Sequence, residues 1–141
     1  MSTSASASAA ASTAALPVGL VAGCYERAVY GFELVPGASP TSPAALRASF
    51  LLPAHNGCVK AVAAAGRWVA SGSTDEVISI MDTRQMAQVL SLHHHEGDVS
   101  TLAFHADEFM FSASVDGRIC VYRTGARTIL SFFHYIASIH T

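Results

Sequence analysis

The feature that most constrains this chain is a segment that occurs twice. Its copies occupy residues 71–82 and 112–123, so that Asp75 and Asp116 hold the same position at an interval of 41 residues (116 − 75). Each copy reads as the end of a strand, a tight polar turn and a second strand with alternating apolar positions. A repeat of about 40 residues with four strand-sized segments is typical of one blade of a β-propeller.

A histidine precedes each copy at nearly the same distance, because His55 and Gly57 are followed 40 residues later by His95 and Gly97. The apolar pattern predicts four strands in the first repeat and four in the second. Residues 82–92 could also form a short helix, but the length of the apolar segment and the repeat favour a strand. The predicted strands are 59–64, 67–71, 77–81, 86–90, 98–104, 109–112, 117–122 and 128–133.

This pattern resembles the WD-repeat family, in which a serine stands four positions before the turn aspartate and a Trp-Asp pair follows the aspartate. The chain departs from the family at that pair. Met81 and Tyr122 stand at the Trp position, and the aspartate after it is kept as Asp82 but replaced by Arg123. The resemblance covers about residues 20–122 and implies an all-β propeller.

The predicted fold is therefore all-β: a partial WD-repeat propeller of about two and a half four-stranded antiparallel blades with a disordered N-terminal tail. Aligning Glu26 with Asp75 makes the first segment a half-blade consisting of the inner hairpin only, followed by an outer strand from Ala48. A complete ring needs about four to eight blades, so we expect these blades to be unstable alone. The predicted divisions are a Ser/Ala-rich tail (1–16), an incomplete propeller (17–134) made of a half-blade (19–34), a loop (35–45), a blade (55–92) and a blade (95–133), and an irregular or aberrant tail (135–141).

Composition argues against several classes of function. The net charge is −2, with 8 Lys and Arg against 10 Asp and Glu, so direct binding of nucleic acid has no electrostatic support. No apolar segment reaches the roughly 18 residues of a membrane-spanning helix. Neither a membrane partner nor a small-molecule substrate is expected, and no cofactor is predicted.

Two sets of residues invite a catalytic-triad interpretation because each combines His, Ser and Asp. A serine inside a strand lacks the strained turn and oxyanion hole of a nucleophile, so no catalytic residue is predicted. By resemblance to the WD-repeat family, the two sets are structural hydrogen-bond staples. Because Met81 cannot donate to the serine, and because Tyr122 is not expected to reach it, both staples should stop at three members. The staples are His55, Ser71 and Asp75, and His95, Ser112 and Asp116.

A histidine cluster at His93, His94, His95 and Glu96, with His105 nearby, is the alternative signal of a zinc or copper site. Adjacent residues of a strand point to opposite faces, so one strand can offer only two of these histidines together. The WD-repeat pattern also assigns His95 to a staple. We therefore predict no metal site, and keep a His-cluster metal-binding protein as the alternative from a different class.

These observations favour a non-enzymatic scaffold that binds proteins. Candidate partner contacts are the loop arginines Arg27, Arg67, Arg84 and Arg118. The resemblance extends to a nucleolar member of the family and implies a role with pre-ribosomal assembly factors in large (60S) ribosomal subunit biogenesis, in the nucleus and nucleolus. The alternative implied by the same resemblance is negative regulation of a p21-activated protein kinase by direct binding.

Overall fold

The computed structural model describes residues 19–106 and 108–124, together with the backbone of residues 129–133. The described residues form eleven strands and no helix, which confirms the all-β prediction. Accordingly, that part of the chain has no helix able to span a membrane. The strands are β1 (Gly19–Gly23), β2 (Val29–Val35), β3 (Ala45–Leu52), β4 (Val59–Ala65), β5 (Trp68–Ser73), β6 (Ile78–Asp82), β7 (Ala87–Leu92), β8 (Val99–His105), β9 (Phe109–Ser114), β10 (Ile119–Thr124) and β11 (Ile129–Phe133).

The strands form three antiparallel sheets in which each strand pairs with its neighbours along the chain. Sheet one has the order β1-β2-β3, sheet two the order β4-β5-β6-β7, and sheet three the order β8-β9-β10-β11. Turns at these short connections use left-handed backbone, with φ of +54° at Gly66 and +50° at Ala106 in the equivalent turns of sheets two and three. Short hairpins with a positive φ are the usual way to join such strands.

Sheet one differs from the predicted half-blade. β3 pairs with β2 along its length, from Val35 opposite Ala45 to Val29 opposite Leu52, so the sheet has three strands rather than an inner hairpin alone. The outer strand begins at Ala45, three residues before the predicted start at Ala48. The predicted tails (1–16 and 135–141) lie outside the described residues.

Sheet two lies between the other two sheets, because β4 contacts both β1 and β8. Every residue of β5 and β6 is consequently buried. The seam between sheets two and three is close at Gly72, where a Cβ atom would stand 2.8 Å from the Cβ of Val99. Burial of apolar side chains such as Ile78, Ile80 and Leu102 in this seam supplies the main stabilisation, at about 25 cal/mol per Å² of apolar surface.

The outer face of sheet three has no neighbouring sheet among the described residues. Phe111 in β9 is 37% exposed, whereas Ala70 at the equivalent position of sheet two is fully buried beneath sheet three. The same residue position is therefore core in one sheet and surface in the next.

Candidate functional site: two buried hydrogen-bonded triads

The first triad joins a loop, a strand and a turn of sheet two. His55 lies in the connection before β4, Ser71 within β5 and Asp75 in the turn after β5. The Nδ1 atom of His55 is 3.2 Å from both carboxylate oxygens of Asp75, and its Nε2 atom is 2.8 Å from Ser71 Oγ. Asp75 also accepts hydrogen bonds from the backbone N–H groups of Asn56 at 2.8 Å and Val77 at 3.0 Å.

The second triad repeats this geometry in sheet three. His95 Nδ1 is 3.0 Å from Asp116 Oδ2, and His95 Nε2 is 2.7 Å from Ser112 Oγ. The Asp116 carboxylate accepts from the backbone N–H groups of Glu96 at 2.9 Å and Arg118 at 2.8 Å. The structure thus brings together all six residues predicted as staples, in two sets of three.

The electrostatics fix the direction of the hydrogen bonds. Burial alone would raise the pKa of Asp75, but hydrogen bonds from the Asn56 and Val77 N–H groups and the adjacent His55 outweigh it, and the pKa is lowered. The pKa of Asp116 is lowered by the same balance. An ionised carboxylate only accepts, so Nδ1 of a neutral triad histidine carries the proton and Nε2 accepts from the serine hydroxyl.

This donor order is also that of a catalytic triad, but the serines are closed to solvent. Ser71 is 2% exposed and Ser112 is 1% exposed, and the histidine side chains are fully buried. A nucleophile must meet its substrate, and neither hydroxyl lies on an accessible surface. What the arrangement can do is tie a loop, a strand and a turn together through one satisfied polar network.

The Trp position of the repeat is filled differently in the two sheets. Met81 is 2% exposed and belongs to an apolar cluster with Val29 and Val69. Tyr122 is 1% exposed, and its hydroxyl is 3.4 Å from Nδ1 of His94. Burial raises the pKa of Tyr122, so its hydroxyl stays protonated.

The arginines predicted as partner contacts lie at two opposite ends of the sheets. Arg27 and Arg118 lie in or next to the β1–β2 and β9–β10 turns, whereas Arg67 and Arg84 lie in the β4–β5 and β6–β7 turns. Because consecutive strands of each sheet are antiparallel, these two kinds of turn lie at opposite ends of the sheets. Arg27 is exposed, and Arg118 is 3.0 Å from the exposed carboxylate of Glu96. The four side chains therefore do not form one patch.

Arg67 is engaged within the chain, and its role as a partner contact stays a prediction. Its guanidinium donates to both carboxylate oxygens of Asp82, with Nε 3.0 Å from Oδ1, and it stacks over the Trp68 ring at 4.8 Å. This hydrogen bond with Arg67 is the main cause of the lowered pKa of Asp82. The sequence signal that could have indicated the pair is an arginine in the β4–β5 turn followed 15 residues later by an aspartate at the end of β6.

The histidine cluster is dispersed in the structure. His95 is held in its triad, while His93, His94 and His105 are exposed. Within residues 19–106 and 108–124 no three His, Cys, Asp or Glu side chains are arranged to hold a metal ion. The cysteines of the described residues, Cys24, Cys58 and Cys120, are free thiols.

Curated relatives of this chain include proteins described as p21-activated protein kinase-interacting protein 1 or as similar to it. The Danio rerio relative is 34% identical over 105 residues, covering 74% of this chain and 28% of the relative. The Gallus gallus relative is 36% identical over 105 residues, and the Homo sapiens relative is 36% identical over 91 residues. The chain thus spans about a quarter of the length of these curated relatives, from 23% to 28%.

Two solved structures share the fold. The structure of U3-55K superposes with a TM-score of 0.64 at 16% identity, covering 85% of this chain and 37% of that one. The computationally designed Ika8 protein superposes with a TM-score of 0.63 at 22% identity, covering 84% and 34%. The family described as "WD domain, G-beta repeat" matches residues 47–82 and 86–123, more than half of the sequence. This chain belongs to the WD-repeat family.

Proposed function

We propose that this chain is part of a non-enzymatic scaffold that binds other proteins, and that its two triads are structural staples. The observation that carries the proposal is the 34–36% identity over 105 residues to p21-activated protein kinase-interacting proteins. The buried serines of the triads support it, since the described residues offer no accessible nucleophile there. The staples hold the connecting loops in place, and the loops at the ends of the sheets are the surfaces left for partners.

The whole protein, of which this chain resembles about a quarter, is proposed to act in the nucleolus in assembly of the large (60S) ribosomal subunit, with pre-ribosomal assembly factors as partners. Support comes from the resemblance of the sequence to a nucleolar WD-repeat protein. The test is sedimentation of nucleolar extract from cells that express the tagged protein. It should migrate with precursors of the large subunit, and its depletion should lower free 60S relative to 40S subunits. Tagged protein confined to the top of the gradient would contradict this role.

A second candidate function is negative regulation of a p21-activated kinase by direct binding. The observation that favours it is the description shared by the relatives, which are called interacting proteins of that kinase. Immobilised protein should retain the regulatory segment of the kinase that binds small GTPases, and should lower kinase activity in solution. Retention without any effect on sedimentation of large-subunit precursors would favour this candidate over the first.

The arginines supply matched variants for either experiment. Arg27→Glu and Arg118→Glu reverse charge at one end of the sheets, and Arg84→Glu reverses it at the other end. Arg67 is left unchanged because its guanidinium is bound to buried Asp82. A partner that contacts one end should lose at least tenfold in affinity with variants of that end only. Equal affinities for all three variants would remove these arginines as contacts.

A further inference from the structure

Asn56 is the single asparagine of the sequence, and a glycine follows it. The pair lies in the connection between β3 and β4, directly after the triad histidine His55, and Asn56 is exposed. The Asn56 backbone N–H group donates to Asp75 Oδ2 at 2.8 Å, so this connection belongs to the network of the first triad. Among the described residues, neither the Asn56 side-chain amide nor the Gly57 N–H group makes a hydrogen bond.

The turn after β5 requires a glycine next to Asn56. A Cβ atom at Gly57 would lie 2.3 Å from Thr74 Oγ1 and 2.8 Å from the backbone nitrogen of Asp75, so a side chain there would clash. Because glycine has no Cβ atom, its backbone rotates more freely and its nitrogen is unhindered. Both properties favour attack of the glycine nitrogen on the side chain of the preceding asparagine. Packing of the turn thus imposes the glycine of a reactive Asn-Gly pair.

We propose that Asn56 is a modification site at which the folded chain deamidates spontaneously to aspartate or isoaspartate. The Gly57 nitrogen attacks Cγ of Asn56, so that an N–Cγ bond forms and the Cγ–Nδ2 bond breaks. The Gly57 N–H proton leaves with the amide nitrogen as ammonia, and a cyclic imide remains. Water then opens the imide and is the only co-reactant. Cleavage of the N–Cγ bond gives aspartate, whereas cleavage of the bond between the nitrogen and the main-chain carbonyl carbon gives isoaspartate.

Sheet three contains an Asp-Gly pair, Asp116 and Gly117, that could form the same imide by loss of water, but its groups are engaged. Asp116 accepts from His95 Nδ1 at 3.0 Å and from two backbone N–H groups, and its lowered pKa keeps it a carboxylate, which is a poor electrophile. The Gly117 N–H group donates to the Ser114 carbonyl at 3.1 Å. The folded chain therefore protects Asp116 and leaves Asn56 open to reaction.

Deamidation changes the surroundings of the first triad. At the position equivalent to Asn56, sheet three carries Glu96, whose carboxylate is 3.0 Å from the Arg118 guanidinium. The residue of sheet two at the position of Arg118 is Val77, which cannot balance a new negative charge. A like charge beside Asp75 should raise the pKa of its carboxyl group. Isoaspartate also adds a methylene to the main chain of a connection that is packed against the turn, so it should disturb the triad more than aspartate does.

Incubation of the 141-residue chain at neutral pH, followed by peptide mass spectrometry, tests the proposal. The peptide with residue 56 should gain the mass difference between an amide and an acid, and electron-transfer fragmentation should separate isoaspartate from aspartate. Each site is compared with its own rate in guanidinium chloride. Folding should slow Asn56 by less than about threefold and Asp116 by at least about tenfold, because the turn of Asp116 must first open. Reaction of Asn56 only in denaturant, or equal protection of the two sites, would overturn the proposal.

The effect on the triad is measured separately. After the same incubation, the parent chain should unfold at a lower urea concentration than before, whereas Asn56→Ser, which cannot form the imide, should not change. Fresh Asn56→Asp carries the new charge without the longer main chain, so it should lie between the fresh and the incubated parent. Deamidation of the parent without any shift of its unfolding midpoint would contradict the effect on the triad.

Discussion

Sheets two and three carry the same triad in different surroundings. The backbone N–H of Thr83 donates to the Arg67 carbonyl at 2.8 Å, and Thr124 donates to the Glu108 carbonyl at 2.7 Å, so Arg67 and Glu108 are equivalent positions. The partner position is Asp82 in sheet two and Arg123 in sheet three, with the signs of both charges exchanged.

The exchange of charges parallels the exchange at the Trp position, where the Ala54–Met81 pair of sheet two is replaced by His94 and Tyr122. In each case the residues at two equivalent positions both differ between the sheets. Main-chain pairing and the triad are the same in both sheets, because each requires a set number of residues between its partners along the chain. The residues around them are constrained only by their immediate neighbours. The strand pairing and the triads are therefore common to both sheets, whereas the side chains around them differ from one sheet to the next.

The largest expected effect is that of removing a triad carboxylate. Asp75→Ala leaves the buried His55 and two backbone N–H groups without their acceptor, and should lower the free energy of unfolding by about 3 kcal/mol. Ser71→Ala removes one hydroxyl and should cost about 1 kcal/mol. Urea unfolding followed by fluorescence of Trp68, the single tryptophan, measures both. Equal midpoints for Asp75→Ala and the parent chain would refute the staple role.

The seam glycine should have the next largest effect and should distinguish the two sheets. Gly72→Ala places a Cβ atom against buried Val99, and overpacking of this kind costs about 2 kcal/mol. The equivalent residue of sheet three is Ala113, which lies on the outer face that also carries Phe111. Ala113→Gly should therefore change the free energy of unfolding by under about 1 kcal/mol. Similar costs at the two positions would mean that sheet three is as enclosed as sheet two.

Acid should weaken both sheets through their triads. The pKa values of Asp75 and Asp116 are lowered in the folded chain, so their contribution to stability is complete above the unfolded-state value of about 3.9. It is lost as the pH falls through the lower folded-state values. The free energy of unfolding should therefore decrease below about pH 4, and less steeply in the Asp75→Asn, Asp116→Asn double variant. Identical acid profiles for the double variant and the parent chain would contradict this assignment.

The smallest expected effect lies in the turns after β5 and β9. Glu76 and Gly117 hold the same turn position with φ of +69° and +79°. A side chain is strained in this left-handed region, so Glu76→Gly should raise the free energy of unfolding by about 1 kcal/mol. Gly117→Ala should lower it by a similar amount. Thermal unfolding of both variants measures the two changes in stability. Changes in melting temperature of the same sign would show that the two turns differ in conformation.

Spacing within the sequence was sufficient for the repeat and the all-β class, and the resemblance to the WD-repeat family supplied the membership of both triads. Alternation of apolar residues located the strands of sheets two and three to within a few residues of the observed bounds. The third strand of sheet one was harder to predict, because residues 36–44 carry prolines and a glycine that separate it from β2. Its pairing partner is set by sheet geometry rather than by sequence periodicity.

The sequence by itself determined which residues repeat, and hence the blades and their His, Ser and Asp triads, because a hydrogen-bond staple needs fixed spacing along the chain. Only the tertiary structure decided the contacts and the burial of the other side chains. It bound Arg67 to Asp82, joined Tyr122 to His94, and buried Ala70 while leaving Phe111 exposed. Such outcomes depend on which element packs against each face, and the neighbours in space are not encoded in any local pattern.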